Sequence, residues 1–131
     1  MKIILDCNVI IAAGLTDGVC RQVIFKIIKN HKNYVSEEIL KEYIAVINRD
    51  KFKKHQSYLQ KLLKIICEVL ELAQVSTTSH RFELPDIDDE KYLALACSVK
   101  ADYLITGNLK HFPDKKYIYT KVISPGEFLA L

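Results

Sequence analysis

The N-terminal run Lys2-Ile3-Ile4-Leu5 is continuously apolar over its last three residues and stops on an acid, Asp6. A short unbroken run of aliphatic residues marks a strand buried on both faces. Parallel sheets covered by helices on each side bury strands in that way. Asp102 to Thr106 reads as a second buried strand, with Leu104 and Ile105 as its aliphatic pair. The chain between and after these runs has to supply the covering helices.

It does so with apolar residues spaced three and four apart. Val19 to Lys29 carries Val23, Ile24, Ile27 and Ile28 at that spacing. Ser36 is a helix cap, Glu37 and Glu38 suit the first turn, and Ile39, Tyr43, Val46 and Ile47 give the helix an apolar face as far as about Asn48. His55 to Cys67 carries Leu59, Leu62, Leu63 and Ile66, and Asp89 to Lys100 is a further helix. Asn8 is read as the cap of a short helix over 9–13, and Gly14 to Gly18 as a turn. Remaining strands are expected at Asn33–Val35, at Val69–Val75 and at Tyr117–Val122. Ser76 to Asp88 and Gly107 to Lys115 read as loops, each with a proline, and Pro125 opens a last helical turn. Strands alternate with helices, so the sheet should be mostly parallel.

At 131 residues the chain is expected to form one domain over 1–131. No apolar run reaches the ~18–20 residues of a membrane span. The early acid argues against a signal peptide, so a cytoplasmic location is expected. Cys7, Cys20, Cys67 and Cys97 show no C-x-x-C spacing. They read as buried free thiols in a reducing compartment rather than as a zinc site.

The acids suggest chemistry. Open parallel sheets bind ligands outside the carboxyl ends of their strands. Asp6 and Asn108 both lie just past such ends. Glu42 falls between Ile39 and Val46, on the rim of its helix's apolar face. Asp89 shares a stripe with Leu93, Ala96 and Lys100, which turns it toward the sheet, with Asp88 read as the cap and Glu90 turned to water. Thr106 can donate to a carboxylate, and Gly107 allows a tight turn. Carboxylates gathered in one crevice repel by ~4 kcal/mol per pair at 4 Å and an effective dielectric near 20. A hard divalent cation, Mg²⁺ or Mn²⁺, offsets that repulsion. Each residue also has a plainer reading: Asp6 as a helix cap, Glu42 as a surface glutamate, Gly107-Asn108 as a turn, and His111, a conceivable general base, as an exposed loop histidine.

Net charge is only +3, but Arg49, Lys51, Lys53, Lys54 and His55 form one basic run. Lys110, His111, Lys115, Lys116 and Lys121 form another. Basic surfaces beside an acidic pocket suit a polyanion held against a metal, though lysines also simply solvate a helix face.

In order and spacing, four segments resemble the PIN-domain family, and especially its small bacterial toxin members. They are Ile4-Leu5-Asp6-Cys7-Asn8-Val9, Ser36 to Tyr43, Asp86 to Ala96, and Asp102 to Asn108; the ending Ile123 to Leu129 is also similar. The resemblance implies a three-layer α/β/α sandwich with a sheet of about four to five strands. It implies an endoribonuclease acting on single-stranded RNA with Mg²⁺ or Mn²⁺. Asp6, Glu42 and Asp89 match the first three acids of the family's quartet, and Asn108 stands where the fourth is usually Asp. A subset of the family carries this Thr-Gly-Asn form. Asn8 and Thr106 would support the acids, and Lys51, Lys53, Lys54 and Lys110 would hold the RNA backbone with little sequence preference. A small antitoxin partner and a homodimer are implied as well.

Two other readings compete. One is a non-catalytic RNA- or protein-binding module with a metal site weakened at Asn108. The other is a haloacid-dehalogenase-type phosphatase with Asp6 as nucleophile, since Asp6-Cys7-Asn8-Val9 is similar to the start of that motif. There the second acid is missing at Asn8, and the chain is short for a cap.

Overall fold

The computed structural model describes residues 1–76 and 82–131. Residues 77–81, part of the expected loop Ser76 to Asp88, lie outside the described residues. The first strand, β1 (Lys2–Leu5), has Ile3, Ile4 and Leu5 all buried. Successive strand residues face opposite sides, so both faces of β1 are covered. The same holds for Leu104 and Ile105 in β4 (Tyr103–Ile105).

From β1 the chain enters α1 (Cys7–Leu15) and α2 (Val19–Asn30), then β2 (Lys32–Val35) and α3 (Glu37–Ile47). A 3-10 turn over Asp50–His55 leads into α4 (Gln56–Val69) and the two-residue strand β3 (Glu71–Leu72). A short 3-10 turn, Ile87–Asp89, opens α5 (Glu90–Val99), which precedes β4. Another, Leu109–His111, leads to β5 (Lys116–Tyr117), β6 (Thr120–Ile123) and α6 (Pro125–Leu129). The sheet order is β3-β2-β1-β4-β6-β5, with every pairing parallel except β5 with β6. The chain leaves β1 toward β2 on one side and passes from β4 to β6 on the other. The switch in strand order therefore falls between β1 and β4.

This is the expected α/β sandwich, with six strands among the described residues rather than four or five. The extra strand comes from the C-terminal segment. Tyr117–Val122 was expected as one strand. Instead the backbone folds back at Ile118, whose φ is 55°, and pairs β5 with β6 as a hairpin. A left-handed β-branched residue gives no sequence signal of a turn. At the other edge, the expected strand over 69–75 shrinks to Glu71–Leu72, with Leu72 largely exposed.

Two N-terminal expectations also change. Asn8 is not a cap but lies inside α1, which begins directly after Asp6. Gly14 is helical rather than part of a turn. An added Cβ there would sit 2.1 Å from Leu59 Cδ2, so the glycine lets α1 and α4 pack closely. Ser36 does cap α3, its Oγ accepting from the Ile39 N–H at 3.2 Å. Of the four thiols only Cys7 is fully buried; Cys20 and Cys97 are half-buried and Cys67 is exposed, so the uniform burial expected for them does not hold. Among the described residues no single helix is long and apolar enough to cross a membrane.

Candidate active site

The central parallel strands end on polar residues at one edge of the sheet: Ser36 after β2, Asp6 after β1, Thr106 after β4 and Ser124 after β6. The register Leu5 to Ile105 sets Asp6 beside Thr106. Thr106 Oγ1 donates to Asp6 Oδ2 at 2.8 Å, and Asn8 Nδ2 approaches the same oxygen at 3.4 Å. Asn8 Oδ1 accepts the Gly107 N–H at 3.1 Å, and Thr106 Oγ1 accepts the Asn108 N–H at 3.0 Å. The first turn of α1 and the loop after β4 are thus stitched together around one carboxylate. Gly107 does not supply a left-handed turn, since no glycine has positive φ. Space does not demand glycine there either, since an added Cβ would make an ordinary contact 3.4 Å from Asn8 Oδ1.

Asp6 is 6 % exposed. Burial pushes its carboxyl above the ordinary range, hydrogen bonds from the Thr106 hydroxyl and the Asn8 backbone work against that, and the charge of Glu42 adds to it. Asp6 and Glu42 therefore lie within electrostatic reach of each other.

Glu42 stands on the rim of α3, as its helical position predicts. The Tyr92 phenol donates to Glu42 Oε2 at 2.9 Å, and Lys91 Nζ lies 3.0 Å from the same oxygen. The phenol oxygen in turn accepts the Cys7 N–H at 3.2 Å. Tyr92 is fully buried, and that burial pushes its hydroxyl far up, so it remains a donor. It ties the second acid to the residue following the first. Tyr43, on the same helix as Glu42, donates from its hydroxyl to the Leu5 carbonyl and pins α3 over the end of β1.

Asp89 is buried at the start of α5, in line with Leu93 and Ala96. Asp88 does not cap this turn: Asp86 does, its carboxylate accepting the Asp88 N–H at 3.0 Å. Burial first, and then the charge of Asp6, push the Asp89 carboxyl up to about 6; His111 opposes this, and Asp86 and Glu42 add to it. His111 Nδ1 lies 3.0 Å from Asp89 Oδ2, yet that oxygen is buried and receives no aligned hydrogen bond. His111 is therefore not the simple exposed loop residue its sequence context suggests. Phe112, only 2 % exposed, anchors the loop in the core and turns the histidine back toward the acids.

Asn108 is half-buried at the mouth, beside exposed Lys110. Lys51, Lys53 and Lys54 are exposed on the Asp50–His55 turn, with Lys51 Nζ 5.0 Å from the centre of the Phe52 ring. The basic side chains whose charge reaches the Cys7 thiol, next to Asp6, are Arg49 and Lys91. Sequence reasoning passed over Lys91 and Tyr92 and undervalued His111. Tyr92 did leave a signal: a tyrosine on a buried helical face needs a partner for its hydroxyl.

Among the described residues no three acidic, histidine or cysteine side chains already converge on one coordination point. The donors nonetheless fit a hard cation. Mg²⁺ keeps several waters and takes only one or two protein carboxylates directly. The buried Asp89 Oδ2 lacks a hydrogen bond, and like charges meet it from Asp6 and Glu42. A cation there would satisfy both.

The family model for the PIN domain matches residues 2–110. Among solved structures, the chain is similar to one described as VapBC2 from Rickettsia felis bound to a DNA fragment from their promoter. The TM-score is 0.62 at 17% identity, covering 95% of this chain and 98% of that one. None of the curated proteins matches.

Proposed function

This chain belongs to the PIN-domain family, and from that premise we propose that it is a Mg²⁺- or Mn²⁺-dependent endoribonuclease acting on single-stranded RNA in the cytoplasm. The observation that carries the reading is the set of like charges at the switch point. Asp89 is buried there within electrostatic reach of Asp6 and Glu42, with one oxygen lacking a hydrogen bond. Such an arrangement costs stability unless a cation enters it.

Asp6, Glu42 and Asp89 would hold one or two such ions, partly through water. When bound, such an ion lowers the pKa of an attacking water and offsets charge building on the phosphate. The protein's own groups do the positioning. Thr106 and Asn8 fix the Asp6 carboxylate, and Tyr92 with Lys91 fixes that of Glu42. Asp89 would hold the ion in its ionised form, the form that prevails above about pH 6. Asn108, without a charge of its own, offers its amide to a phosphate oxygen at the mouth, and Lys110 binds the neighbouring backbone. Lys51, Lys53 and Lys54 would extend that backbone contact along the flank. The whole chain would act as one domain.

The same premise supports a toxin role, with a small antitoxin chain entering this crevice and the toxin acting as a homodimer. The similar Rickettsia felis structure is of VapBC2 on DNA from their promoter, which favours a paired partner here. The phosphatase alternative gives way to the family assignment, which spans residues 2–110. A binding module remains the rival. Incubation of unstructured RNAs with Mn²⁺ separates the two. Cleavage by the wild type that EDTA stops, reduced at least about a hundredfold in Asp6→Asn, supports the nuclease. Binding without cleavage in both proteins supports the module.

A further inference from the structure

The pair formed by Asp89 and His111 is not accounted for by the three-carboxylate set. His111 Nδ1 and Asp89 Oδ2 lie 3.0 Å apart without an aligned hydrogen bond between them. Two electron-rich atoms held that close need a proton or a cation to share. In an octahedral site with bonds of about 2.1 Å, neighbouring donors lie about 3.0 Å apart. The spacing is therefore that of two adjacent ligands of one ion.

The loop supports this geometry. The His111 N–H donates to the Asn108 carbonyl at 3.1 Å, and the Phe112 N–H to the Leu109 carbonyl at 3.1 Å. With Phe112 buried, His111 Nδ1 reaches Asp89 while the side chain stays 41 % exposed. Its charge is also felt at Asp6. Asn108, three residues earlier, has no charge to contribute.

We infer that His111 is a direct nitrogen ligand of the cation in this chain, taking up the coordination place left by an uncharged residue at 108. This rests on the metal-dependent reading of the site. Imidazole favours later first-row metals over Mg²⁺, so His111 biases the site toward Mn²⁺.

Pulsed electron paramagnetic resonance of Mn²⁺ bound to the full chain tests the assignment. Bound Mn²⁺ should show hyperfine coupling to a ¹⁴N nucleus, replaced by the ¹⁵N pattern when histidine alone is ¹⁵N-labelled; this needs no substitution. By calorimetry, His111→Gln should weaken Mn²⁺ binding about tenfold or more and Mg²⁺ binding by only about threefold. Mn²⁺ that binds the wild type but not Asp6→Asn, with no nitrogen coupling, would overturn the His111 assignment and leave the carboxylate site standing. A wild type that binds no Mn²⁺ would overturn both.

Discussion

The two ends of β1 and β4 show opposite treatment of charge. At the amino end, the Lys2 N–H donates to Asp102 Oδ2 at 2.9 Å, and Lys2 Nζ donates to the Val99 carbonyl at 3.0 Å. Nearby, Lys32 Nζ meets Glu71 Oε1 at 3.6 Å. These groups are exposed, and the opposite charges that face one another among them are those of Lys32 and Glu71. At the carboxyl end, Asp6 and Asp89 are buried and lie within electrostatic reach of each other and of Glu42, with Lys91 beside Glu42 and His111 beside Asp89 as the neighbouring basic groups. The strands between are equally apolar. Exposed ion pairs contribute little, whereas unpaired buried charge costs several kcal/mol. On the proposed function, the carboxylates within reach of one another at the carboxyl end are the ones a bound cation would offset.

The largest effect that would sharpen this contrast is expected from Asp89→Asn. The Asp89 carboxyl lies at about 6 when folded, against an ordinary 3.8. A raised folded value means that the folded state keeps its proton where the unfolded chain has released it. Stability from this group is whole below about pH 3.8 and is lost as pH rises through about 6. In EDTA at pH 7, Asp89→Asn should melt about 5 °C or more above the wild type, with the gap closing toward pH 4. Mn²⁺ should raise the melting temperature of the wild type but not of the variant. A gap that ignores pH would break the comparison.

Thr106→Val should come next. It removes both the donor to Asp6 and the acceptor for the Asn108 N–H, and denaturant titration should show a loss of about 2 kcal/mol. Asn108→Asp should tighten Mn²⁺ binding about fivefold by calorimetry, because it adds charge at the mouth; no change would place residue 108 outside the metal's surroundings. The smallest effect belongs to the amino end. Asp102→Asn should change stability by about 0.5 kcal/mol or less and leave RNA cleavage untouched.

Where pattern follows from burial, the sequence was readable. Ile3 to Leu5 and Leu104 to Ile105 announced buried parallel strands, and the stripe through Leu93 and Ala96 turned Asp89 inward. Ser36 was legible because a cap is a local device. The hairpin at Ile118 was not, because its turn uses a residue that normally avoids left-handed backbone. Nor was the Tyr92 bridge, which joins residues 7, 42 and 92 through tertiary packing alone. His111 was misjudged because its direction depends on Phe112 seating in the core, a contact that local polarity does not report.

Anomalous diffraction from crystals soaked in Mn²⁺ bears most directly on the claim that this sheet edge is a metal site. A single strong peak should appear between the carboxylates of Asp6 and Asp89, within reach of Glu42, and vanish in Asp6→Asn. Manganese seated elsewhere, or none at the sheet edge while the protein remains folded, would contradict the account.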